Sequence, residues 1–202
     1  MKNLLTGLLL GLFFLAACNN PQSADQAAAA ADQPETATTV TTPEETSDED
    51  DGSSKRISPA KKAIGTIGAL SIEINYSSPA TKGRKIWGGL VPYGEVWRTG
   101  ANEATTISFS KTAKVEGKNL AAGKYALFTI PGEDKWTVIF NTVAEQWGAY
   151  EYDKSKDALR VEVKPRALEN PVENLEFTVE DNLVQLSWDK LAVPISVGEL
   201  PQ

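Results

Sequence analysis

Histidine is absent from all 202 residues. Its absence removes imidazole general bases, Ser-His-Asp and Cys-His nucleophiles, and the usual histidine-containing zinc sites. Cysteine occurs once, at Cys18, so no disulfide can form within the chain and the fold must stand on its apolar core. Cysteine-ligated zinc and iron-sulfur clusters are excluded for the same reason. There is no Gly-x-Gly-x-x-Gly fingerprint and no phosphate loop ending in Gly-Lys-Ser/Thr, so nucleotide chemistry has no support and no cofactor is expected. No basic block suggests nucleic acid as a partner, and no long helical period or internal repeat is visible.

The N-terminus carries a different kind of signal. Lys2 is followed by an apolar run from Leu4 to Ala17, which at about 14 residues is short of the roughly 20 that a spanning helix needs. The run ends in Leu15-Ala16-Ala17-Cys18, with Leu15 three positions before Cys18 where ordinary signal cleavage prefers a small residue. Residues 1–17 therefore read as a lipoprotein signal peptide, with Cys18 the expected lipidation site and the membrane a partner through that anchor. Several acyl chains on one residue, at about 0.8 kcal/mol per buried CH2, make such an attachment durable. The expected location is the bacterial cell envelope, periplasmic or surface-exposed.

Residues 18–54 are rich in Ala, Thr, Pro, Gln and acids and contain no aromatic side chain. This composition predicts a disordered tether, which as a flexible coil would span roughly 30 to 37 Å. The tether holds nine acids and no base; taking these and Lys2 from the 27 acidic and 20 basic residues of the chain leaves 18 and 19 for the rest. The overall charge of −7 thus belongs to the tether, and the remainder is nearly neutral at +1. Asp48 to Gly52 looks superficially like a calcium loop, but Ser58 stands where the bidentate Glu is required, so no metal site is expected.

Residues 55–202 are of the usual size for one domain. Leu70, Ile72, Ile74 and Tyr76 alternate with polar residues, and the same period of two recurs at Ile107 and Phe109, at Leu159 to Val163, and at Leu175 to Val179. Each run predicts a strand with one buried face. Tyr125–Ile130 and Trp136–Phe140 are apolar on both faces, as central strands tend to be, and Pro131-Gly132-Glu133-Asp134 predicts a hairpin turn between them. Val184–Trp188 and Leu191–Val197 follow turns at Asp181-Asn182 and Asp189-Lys190, and Pro194 suggests an edge strand. About nine short strands without a convincing helix predict an all-β fold, an antiparallel sandwich of immunoglobulin-like or jelly-roll-like type, with a barrel as the alternative. Leu120 to Tyr125 has the form of a tyrosine corner.

Without histidine or thiol, acid-base work falls to carboxylates, Lys and Tyr, and binding to Trp and Arg. These residue types crowd the segment Leu90 to Ala104, which includes Tyr93, Glu95, Trp97, Arg98, Asn102 and Glu103; Tyr76, Ser77, Ser78 and Arg84 precede it. Two readings stay open. In one, Arg98 and Glu103 form a shielded pair, Asn102 bonds loop backbone and Trp97 plugs one end of the sandwich. In the other, Tyr76, Arg84, Tyr93, Trp97, Arg98, Asn102 and Glu103 line a pocket. Trp136 and Trp188 fit strand periods and read as core; Trp147 sits in a predicted loop and is a candidate rim residue.

Ser58-Pro59-Ala60, Tyr76-Ser77-Ser78-Pro79, Gly83 to Ile86, Val115 to Lys118, Ala122 to Gly132 and above all Trp97-Arg98-Thr99-Gly100-Ala101-Asn102-Glu103-Ala104-Thr105 resemble the bacterial domain of unknown function family 2911. The resemblance implies an exported domain, frequent in secreted proteins and lipoproteins, with no established reaction. Two functions are compatible with these observations. The first is a non-enzymatic ligand-binding or structural module that recognises a glycan or another envelope component. The second is a histidine-free hydrolase acting on envelope glycans through Glu95 and Glu103 as paired carboxylates.

Overall fold

The computed structural model describes residues 57–200. The expected signal peptide, the expected lipidation site at Cys18, the expected acidic tether and the Asp48 to Gly52 run all lie outside the described residues.

Ten strands form two antiparallel sheets. They are β1 (Ala60–Ile67), β2 (Leu70–Ser77), β3 (Thr106–Phe109), β4 (Ala113–Val115), β5 (Lys118–Leu120), β6 (Gly123–Ile130), β7 (Trp136–Asn141), β8 (Asp157–Val163), β9 (Arg166–Glu180) and β10 (Leu183–Glu199). One sheet runs in the order β1-β2-β3-β6-β7-β8 and the other β5-β4-β10-β9, which makes the all-β sandwich that the alternating patterns predict. Among the described residues the only helical piece is a 3-10 turn at Lys154–Lys156.

The alternation places side chains as the period of two requires. In β2, Leu70, Ile72, Ile74 and Tyr76 are buried. In β6, Tyr125 and Leu127 join the main core between the sheets while Ala126 and Phe128 face the other way, where with Ala104 and Ile139 they form a second apolar cluster packed against Val96, Ala149 and Tyr152. The six-stranded sheet is therefore covered on both faces in its centre, between the second sheet and a layer of loop. This explains why β6 and β7 are apolar throughout.

The tyrosine corner is present: the Tyr125 hydroxyl donates to the Ala121 carbonyl at 2.9 Å. Trp136 and Trp188 are core residues, as predicted.

Three strands escaped the sequence reading. β4 and β5 are three residues each, too short to show a period. In β1, Lys61, Lys62 and Gly65 interrupt the pattern, and most of its side chains are exposed or half-buried. Gly65 is there for space: a Cβ would lie 2.5 Å from the Val179 Cβ, because β1 passes directly over β9 of the opposite sheet.

The expected edge position of Pro194 is corrected, since β10 lies between β4 and β9. Its ladder with β4 covers only Val197–Glu199, so Pro194 has no β4 partner that would need its missing N–H. The two strands expected on either side of Asp189-Lys190 are limbs of this one ribbon. The Val197 N–H donates to the Asn182 carbonyl at 2.8 Å, yet an extended chain would set the two residues roughly 50 Å apart. The ribbon therefore doubles back, and Asp189, at φ 52°, stands where the register with β9 breaks.

Candidate functional site

The segment between β2 and β3 is built from backbone contacts. Residues 78–82 cross to the second sheet, where the Leu175 N–H donates to the Pro79 carbonyl and the Thr81 N–H to the Glu173 carbonyl, at 2.9 and 2.8 Å. The chain then returns to β6. Trp97 and Thr129 exchange both backbone hydrogen bonds, at 2.7 and 2.9 Å, and the Leu127 N–H donates to Thr105. Between these anchors, Thr99 and Asn102 take positive φ angles of 56° and 58°. The Thr105 hydroxyl donates to the Thr99 carbonyl at 2.8 Å, and Asn102 Nδ2 donates to the Ser58 carbonyl and the Ser77 hydroxyl. A Cβ on Gly100 would come within 2.9 Å of the Thr105 hydroxyl and 3.1 Å of the Ser77 carbonyl. Much of the Trp97 to Thr105 run is thus spent on making a tight, self-bonded turn.

Trp97 itself belongs to a cluster. Trp87 meets Trp97, Trp136 and Trp188 edge to face, with ring centroids 5.9, 4.9 and 5.7 Å apart, and Trp97 stacks on Trp188 at 5.9 Å. Each such pair contributes about 0.5–1.5 kcal/mol beyond the area it buries. Four of the five tryptophans therefore form one plug at this end of the sandwich. For Trp97 this agrees with the plug reading, but the rings also floor a cleft.

Two clefts flank the turn. The smaller, of about 320 Å³, is lined by Trp97, Trp188, Arg84, Arg98, Lys82 and Asn102, among others. The larger, of about 710 Å³, opens over the outer faces of β1, β2, β3 and β6; Tyr76, Thr106, Lys124, Glu103, Gln146 and Trp147 are among its walls. The predicted site residues are accordingly divided. Arg84, Trp97, Arg98 and Asn102 line the first cleft and Glu103 the second, so Arg98 and Glu103 line different clefts; Tyr76 borders the second, but its ring turns into the core against Phe177 at 5.0 Å. Tyr93 and Glu95 line neither: the Tyr93 ring lies over Gly88, and Glu95 is exposed on the preceding turn. Glu95 and Glu103 do not flank a common cleft.

Trp147 is the member of the larger cleft that stands out. It is 59 % exposed, yet its backbone is held: Glu103 and Trp147 pair as an isolated bridge, the Ala104 N–H donates to Gln146 at 3.0 Å, and the Gly148 N–H to Asn102 at 3.2 Å. The loop that carries it hangs on Asn141, which is fully buried at the end of β7. Asn141 Nδ2 donates to the Asp153 carbonyl and the Asp157 carboxylate, both at 2.9 Å. Its Oδ1 accepts from the Val143 N–H and from Gln146 Nε2. Asp157 in turn accepts from the Tyr152 hydroxyl and Arg160 Nε, each at 2.7 Å. Sequence reasoning missed Asn141; the available signal was an Asn closing an apolar strand, a residue type that bonds nearby backbone.

The larger cleft is electrically mixed. Lys61, Lys62 and Lys124 are among its lining residues with Glu103, Glu145 and Glu151. Lys124 Nζ lies 2.9 Å from the Glu145 carboxylate, and that hydrogen bond, with the charge behind it, holds Glu145 below the usual carboxylate range. Glu145 is thus ionised at neutral pH and is unsuited to protonate a leaving group. Two buried polar atoms in the wall, Thr106 Oγ1 and Gln146 Oε1, lack hydrogen-bond partners among the described residues. Leaving such a group unpaired costs about 1–3 kcal/mol. No cluster of potential metal ligands occurs among the described residues.

Sheet architecture and paired clefts define the molecule as a β-sandwich module whose candidate sites lie in loops beside the sheets rather than between them. Residues 58–197 match the family described as Protein of unknown function (DUF2911), and the chain belongs to that family. Curated proteins and solved structures give no match.

Proposed function

We propose that this chain is a membrane-anchored bacterial envelope lipoprotein whose sandwich serves as a non-enzymatic binding module, and that the larger cleft receives a hydroxyl-rich ring such as a glycan unit. The carrying observation is Trp147, a large aromatic surface left in solvent on a backbone pinned at both sides. An exposed aromatic held rigidly beside carboxylates, lysines and an amide is suited to stack on the apolar face of a sugar while the polar groups bond its hydroxyls. The unpartnered Thr106 and Gln146 oxygens support the same reading, since an occupant that drew them outward would relieve their cost.

The hydrolase alternative is less well supported, because Glu95 is away from the cleft and Glu145 is held as its anion. The test is an array of bacterial envelope oligosaccharides probed with the full-length protein in detergent. Wild type is expected to bind, Trp147→Ala to bind at least about tenfold more weakly, and the recovered glycan to keep its mass. A shortened glycan would put hydrolysis in place of binding, and an array silent toward wild type would remove the glycan reading.

A further inference from the structure

The smaller cleft concerns a different ligand. Its charged lining residues are Lys82, Arg84 and Arg98, with no acid among them. One guanidinium is already posed: Arg84 Nε donates to the Thr81 carbonyl at 3.0 Å and its terminal amine to the Ala80 carbonyl at 2.6 Å. Another has unused capacity, since Arg98 Nε is buried and has no hydrogen-bond partner among the described residues. The Glu173 carboxylate, on which the Arg84 charge acts, is occupied by the Thr81 hydroxyl and the Lys82 N–H. The cleft floor is apolar, with the stacked rings of Trp97 and Trp188 beside Leu90 and Val91.

We infer that this cleft is a binding site for a small organic anion, a carboxylate or phosphate attached to an apolar body, held by Arg84, Arg98 and Lys82 over the Trp97-Trp188 stack. Three like charges line a cavity without an acid, which favours an anion as occupant, and Arg suits planar or tetrahedral oxyanions through its fixed fork of donors. The indole floor excludes water from the apolar part and strengthens the charged contacts above it. This proposal is independent of the glycan reading of the larger cleft. Arg98 and Trp97 come from the Trp97 to Thr105 turn, and the cleft gives a purpose to an arginine Nε that the turn's own bonding does not use.

The rings that floor the cleft also report on it. Phenylacetate is titrated into the full-length protein in detergent while tryptophan fluorescence is followed, and inorganic phosphate is added as competitor. A saturable change is expected, with phosphate displacing the carboxylate, and affinity is expected to fall about tenfold or more in both Arg98→Gln and Arg84→Gln. Arg84 is exposed, so its variant keeps the test valid if Arg98→Gln fails to fold. No saturation below about 10 mM, or wild-type affinity retained in a folded Arg98→Gln and in Arg84→Gln, would overturn the proposal.

Discussion

Asn141 shows how much one amide can organise. Its two donors and its acceptor oxygen serve four partners on residues 143 to 157, which is most of what an Asn side chain can offer. Asn141→Ala would leave the Val143 N–H, the Gln146 amide and one Asp157 oxygen short of a partner, at a cost of about 1–3 kcal/mol for each that stays buried. The expected outcome is a folded protein of lower denaturation midpoint whose 142–157 loop is cut early in limited proteolysis and whose glycan binding falls with that of Trp147→Ala. Unchanged proteolysis would show that the loop is held by its contacts with residues 102–104 alone. Tyr125 was the easier residue to read: its hydroxyl bonds four residues back, so the whole motif lies in one short stretch of sequence. Asn141 reaches as far as Asp157, and nothing local to it announces that span.

Between elements, the join that matters most is the one from residues 78–82 to β9. Ser78 and Thr81 are buried; the Ser78 hydroxyl donates to the Leu175 carbonyl at 2.6 Å, and the Glu173 carboxylate accepts from Thr81 and from the Lys82 N–H. The Thr81 hydroxyl foremost, then the Lys82 amide, hold the Glu173 carboxyl below its usual value of 4.5, against a smaller opposing effect of desolvation. A depressed folded-state pKa means that the contribution to stability is complete above the ordinary carboxylate value and is lost as pH falls through the lower folded value. Glu173→Gln is therefore expected to lower the melting temperature at neutral pH, with the gap to wild type closing as the solution is acidified past 4.5. A gap that stays constant with pH would mean that the carboxylate's charge has no part in the join. The strands themselves were legible wherever apolar and polar residues alternated over four or more positions, as in the four-residue β3, because burial of one face imposes that period. The three-residue β4 and β5 and the exposed β1 offered no such period.

At the scale of the whole molecule, charge divides unevenly along the chain. All nine acids of residues 18–54 precede a stretch with 18 acids and 19 bases, the distribution on which our proposal of an acidic tether rests. If Cys18 carries the anchor, mass spectrometry of the mature protein will find residue 18 at the N-terminus bearing acyl chains, and Cys18→Ser will leave the membrane fraction. An intact Met1 on the mature chain would end the lipoprotein reading. The amino-acid sequence by itself determined the sandwich class, the apolar centre of the larger sheet, the tyrosine corner and the absence of histidine and disulfide chemistry. Each follows from composition or from a period that neighbouring residues display. Only the tertiary structure decided that Arg98 and Glu103 serve separate clefts, that β10 doubles back between β4 and β9, and that Thr106, Lys124 and Gln146 share a wall with Trp147. Those relations depend on where loops settle over a sheet, and the polar side of a strand reads the same in sequence whether water or a loop covers it.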